Sequence, residues 1–89
     1  MEEEFEEGTQ CKVYTSRDMK LIVTLMALGY TPVTGGIYAR DRILYYEFRF
    51  DDIEETLQDY EFNRNINVEV HDFWRAMTSF KAAMRKHLN

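Results

Sequence analysis

Eighty-nine residues, 45% hydrophobic and 30% charged, describe one small domain with a single core. A lone cysteine, Cys11, rules out an internal disulfide framework and points to a reducing compartment. The net charge of −5 is carried by five glutamates in residues 1–10, while the rest of the chain balances 11 acids against 11 bases. A general nucleic-acid binder would carry an overall basic balance, so that class starts at a disadvantage.

The start of the chain, Met1 to Glu7, has the wrong charge sign for a secretory signal. No apolar stretch approaches the roughly 20 residues of a membrane span. A cytoplasmic protein without a membrane partner is expected. Residues 1–8 read as a disordered acidic tail and residues 9–89 as one α+β domain.

Residues 9–15 alternate polar and apolar and read as a short strand, with Cys11, Val13 and Thr15 turned inward. Thr15-Ser16-Arg17-Asp18 fits a capping box, with Thr15 as the cap. Met19, Ile22, Val23, Met26 and Tyr30 then recur at helical spacing. Leu21, Leu25 and Leu28 widen that stripe until the helix is apolar nearly all round. Such a helix is buried on several sides or shared with a second copy of the chain. Gly29 suits its left-handed stop.

Residues 30–50 read as a hairpin. Tyr30 to Val33 enters as a strand, Gly35-Gly36 marks a bulge or bend, and Ala39 to Arg42 forms the turn. In the second arm Leu44, Tyr46, Phe48 and Phe50 alternate with Ile43, Tyr45, Glu47 and Arg49. The first set should face the core. Gly35-Gly36 is not a phosphate loop, since no Lys-Ser or Lys-Thr follows it.

Asp51 or Asp52 should cap a second helix that carries Ile53, Leu57 and Tyr60 inward. Asn63-Arg64-Asn65 reads as a turn and Ile66 to Val70 as a short extended segment. His71-Asp72 opens a third helix whose stripe is Phe73, Ala76, Met77, Phe80, Ala83 and Met84, closed by His87 or Leu88. The order is β-α-β-β-α-(β)-α: an α+β fold with helices on one face of a small antiparallel sheet.

Chemistry finds little support. His71 and His87 are far apart and no pair has metal-ligand spacing, so no metal or other cofactor is expected. Cys11 in a strand behaves as a small hydrophobe rather than a nucleophile. The carboxylates of residues 51–61 read as a solvated helix face, and so small a chain offers no deep glycosidase-type cleft. No catalytic residues are assigned.

What remains is surface. Trp74, Thr78, Lys81 and Arg85 share one face of the third helix, an aromatic anchor with two bases. Tyr45 and Arg49, near Arg40 and Arg42, give the outer sheet face interface-like composition. Glu54, Glu55 and Asp59 belong to an acidic run that could imitate a phosphate backbone. These are the candidate partner-binding residues.

Tyr14-Thr15-Ser16-Arg17-Asp18, Leu28-Gly29-Tyr30, Phe48-Arg49-Phe50-Asp51-Asp52, and Asn67-Val68 leading to Phe73 and a lysine-bearing final helix follow in that order. The arrangement resembles a family of small domains of unknown function found in phages and mobile elements, over residues 12–88. The resemblance implies phage or prophage origin, an intracellular accessory role and no catalytic residues. The expected function is therefore binding of a host or phage protein, for instance inhibition of a host defence nuclease by nucleic-acid mimicry. A nucleic-acid-binding module and a homodimeric structural protein are the alternatives.

Overall fold

A computed structural model describes residues 12–88. The expected acidic tail and Cys11 lie outside the described residues. Strand β1 (Val13–Ser16) leads into helix α1 (Met19–Ala27), the hairpin β2 (Ile37–Arg40) and β3 (Ile43–Arg49), then helices α2 (Phe50–Glu61) and α3 (Val70–Leu88). The three strands form an antiparallel sheet in the order β1-β3-β2. The fold is α+β, as the sequence pattern requires.

The longest strand takes the centre of the sheet. On β3, Leu44, Tyr46 and Phe48 are buried and their neighbours are not, the alternation of a sheet covered on one face. Tyr46 stacks on Phe80 of α3, with ring centroids 5.6 Å apart, which joins helix layer to sheet. Helix α1 buries Leu21, Ile22, Val23, Leu25 and Ala27 within the one chain. These residues pack mainly on α3 and into the shared core, while Met19 and Leu28 at the ends of α1 stay exposed.

Several local expectations are corrected. Strand β1 has the opposite phase: Val13 is 46% exposed and Thr15 is exposed, while Tyr14 packs on the core and Ser16 is buried. The register explains this. Tyr14 pairs with Phe48 and Ser16 with Tyr46, and directly opposed residues in an antiparallel pair share a face.

The cap of α1 is Asp18, not Thr15. The Asp18 side chain accepts from the Lys20 amide at 3.0 Å, and Ser16 Oγ accepts from the Asp18 amide at 3.1 Å. Helix α2 has no side-chain cap, because it begins directly off β3. The Phe50 amide donates to the Lys12 carbonyl at 2.8 Å, extending the sheet pairing into the first helical residue. Asp51 and Asp52 lie within its first turn, where they complement the helix dipole. Phe50 is accordingly helical and half-buried rather than a fourth inward strand residue.

Tyr30 to Val33 is not a strand. Val33 and Gly36 both pair with Glu47: the Val33 amide donates to the Glu47 carbonyl at 2.9 Å, and the Glu47 amide to the Gly36 carbonyl at 2.8 Å. Thr34 and Gly35 loop out between them, the extra residues of a bulge. A Cβ on Gly36 would lie 2.7 Å from Val33 Cγ2 and 2.9 Å from the Val33 carbonyl, so only glycine fits. Ile66 to Glu69 runs outside the sheet as irregular chain. Helix α3 starts at Val70, one residue before the expected His71, and Glu69 Oε1 accepts from the amides of His71 and Asp72.

Candidate functional site

The hairpin tip sets one end of the molecule. Asp41 and Arg42 are a two-residue turn with φ of 55° and 66°, which matches the right-handed twist of the flanking strands. Glycine would occupy the second position without penalty, whereas arginine there costs about 1 kcal/mol. The turn brings Arg42 beside Arg17, at the end of β1, and beside the last turns of α3.

Two adjoining hollows form at this end. One is lined by Arg17, Met19, Arg42, Phe80, Met84 and Leu88 among others, and the second by Lys81, Met84, Arg85 and Leu88. They share Met84 and Leu88. Met19 is 47% exposed and Met84 39% exposed, so these two close their helical stripes outside the core, contrary to the expectation that both are core residues. The result is an apolar patch of thioethers and a leucine, ringed by four bases. Exposed methionines adapt their shape to different partner surfaces.

Lys81 and Arg85 therefore belong together, as expected; Arg42, expected with Tyr45 on the sheet face, joins them, as does Arg17, which was not anticipated. Trp74 does not. It is 61% exposed on the same side of α3 but seven residues before Lys81, about 10 Å along the axis. Its ring makes an edge contact with Phe73, with centroids 6.4 Å apart.

Tyr45 and Arg49 lie on the uncovered face of the sheet. Tyr45 sits directly opposite Tyr38 and stacks on it at 5.4 Å, while the Arg40 guanidinium lies 5.6 Å from the Tyr38 ring. Arg49 is paired with Val13, towards the other end of β3. Tyr38 is the member of this cluster that the sequence reading missed. An alternating strand facing Tyr45 was its only available signal, and the bulge at Gly36 obscured that register.

Glu54 and Glu55 are exposed on α2. Asp59 is half-buried and pairs with Arg64 at 3.2 Å, so it is less available than its neighbours. Phe62, 68% exposed with Arg64 stacked over it at 5.3 Å, was not anticipated. Among the described residues no group of three His, Cys, Asp or Glu side chains could hold a metal ion, and no helix is long and apolar enough to cross a membrane.

No family model, curated protein or solved structure matches this chain.

Proposed function

We propose that this chain is a non-catalytic binding protein that engages an acidic segment of a partner protein through the patch around Met84 and Leu88. The observation that carries this reading is the convergence of Arg17, Arg42, Lys81 and Arg85 on an exposed apolar centre. Charges of one sign around a hydrophobic middle steer a partner of the opposite sign and then bury its apolar side chains. Arg42 adds support, since it holds a left-handed backbone that glycine would adopt more cheaply. An accessory or inhibitory role against a host protein is the form of this function that the phage-family resemblance implies. The exposed acids Glu54 and Glu55 would be the surface for nucleic-acid mimicry.

A second reading rests on the open sheet face. Tyr38 and Tyr45 stacked beside Arg40 are the kind of platform on which single-stranded bases stack.

Tagged protein incubated with extract of its source cells, with and without nuclease, separates the two. The first reading expects a stoichiometric protein that survives nuclease, is lost with Lys81→Glu/Arg85→Glu, and is kept with Tyr45→Ala. A partner unaffected by the charge reversal overturns it. Recovery of nucleic acid that depends on Tyr45 promotes the second.

A further inference from the structure

Helix α2 turns a second complementary surface outward. Asp51, Glu55, Gln58 and Phe62 recur at i, i+4, i+7 and i+11, opposite the buried Ile53 and Leu57, and all four are exposed. Glu54 and Glu61, also exposed, widen this face to an acidic strip. Phe62 closes the strip at 68% exposure, the most exposed large hydrophobic side chain among the described residues. The Arg64 guanidinium lies 5.3 Å from the Phe62 ring and holds it at the helix end.

This strip matches the patch around Met84 in both charge and polarity. Asp51, Glu54, Glu55 and Glu61 set four acids against the four bases Arg17, Arg42, Lys81 and Arg85. An aromatic ring is set against thioethers, and methionine sulfur makes favourable contacts with such rings. Among the described residues the ion pairs are Arg64–Asp59 and Arg75–Asp72, and neither uses a residue of the strip or a base of the patch. Residues 11–89 are neutral overall, so two copies meet without net repulsion between their folded bodies.

We infer, resting on the reading of the patch as a docking surface, that the acidic segment it takes is α2 of a second copy of this chain. Phe62 of one copy seats against Met84 and Leu88 of the other, and the acids along α2 meet the ring of bases. A central aromatic anchor inside a charged rim is the usual layout of a specific contact. The strip and the patch are different surfaces, so the contact is heterologous.

Sedimentation equilibrium up to about 1 mM protein reads a contact as weak as a millimolar Kd. Wild type should exceed the monomer mass in about 50 mM salt and fall towards it in about 0.5 M, where screening shortens to about 4 Å. Lys81→Glu/Arg85→Glu and Glu54→Lys/Glu55→Lys change exposed positions only, and circular dichroism verifies their folds. Each should weaken association by at least about tenfold. An equimolar mixture of the two should regain it, because one keeps the native strip and the other the native patch. Both variants remain net negative, so bulk attraction does not supply the recovery. Phe62→Ala should weaken association by about tenfold with every charge of the strip in place. A wild type that stays monomeric throughout, association indifferent to these variants, or a mixture that fails to recover overturns the inference. Capture of a foreign protein through Lys81 and Arg85 from source extract would then keep the docking reading without it.

Discussion

The Tyr60 hydroxyl donates to Asp18 Oδ2 at 2.8 Å, while Oδ1 of the same carboxylate accepts the Lys20 amide at 3.0 Å. One aspartate thus starts α1 and anchors the far end of α2. The Tyr30 hydroxyl, just past the end of α1, lies 3.3 Å from Thr56 Oγ1, one turn before Tyr60 on α2, and gives the two helices a second polar tie. Replacing Tyr60 with Phe should lower stability by about 1 kcal/mol, the usual net value of one such bond. Chemical denaturation with an unchanged m-value is the measurement.

The same contact makes stability depend on high pH. Burial first, then the hydrogen bond and charge of Asp18, and then Tyr14, push the Tyr60 pKa up from 10.0 to about 12. The folded state holds this proton more tightly than the unfolded state. Its contribution is complete below pH 10 and is lost as pH climbs towards about 12. Wild type should lose stability across that window more steeply than Tyr60→Phe. Parallel slopes for the two proteins would contradict the assignment.

Gly36→Ala should cost roughly 1–3 kcal/mol through overpacking, because its Cβ meets Val33 and the Glu47 side chain. Gly35→Ala is a useful contrast: a Cβ there meets nothing within 4 Å, but φ is +73°. Its cost is backbone strain alone, about 1 kcal/mol. Adding Val33→Ala should relieve part of the Gly36 defect, since the 2.7 Å contact is to a methyl and the 2.9 Å contact is to backbone. Urea midpoints of the four proteins test the order.

Arg42→Gly should raise the melting temperature, with a gain of up to about 1 kcal/mol from relief of the left-handed arginine. The same change should weaken partner binding, because it removes one of the four bases around Met84. A variant that is both more stable and fully competent to bind would remove Arg42 from the site.

Much of the fold is legible in the sequence because its signals are periodic. The alternation of residues 43–49 fixes the central strand, and the stripes of residues 53–60 and 73–80 fix the inward faces of α2 and α3. The misreadings fall where a long-range contact overrides a local preference. β1 reads in the wrong phase because four residues carry too little pattern, and pairing with Tyr46 and Phe48 decides it. α2 lacks the expected aspartate cap because Lys12, remote in sequence, supplies the acceptor for Phe50. Glu69 escapes notice as a cap because shorter side chains usually do that work.

The candidate patch is half legible for a related reason. Helical spacing alone aligns Lys81 with Arg85, but Arg17 and Arg42 reach them only through the fold of the sheet. Met19 and Met84 fit their stripes and yet emerge at the edge of the core. A stripe shows direction, not where the covering layer stops.

Trp74 is the single tryptophan of the chain and stands well exposed, on the side of α3 away from buried Ala76. Its fluorescence begins close to the solvated limit in the native state. Melting the core should therefore move its emission only slightly, whereas a partner settling over the outer side of α3 should shift it to the blue. Intrinsic fluorescence of this protein reports docking far better than folding, and unfolding is better followed by far-ultraviolet circular dichroism.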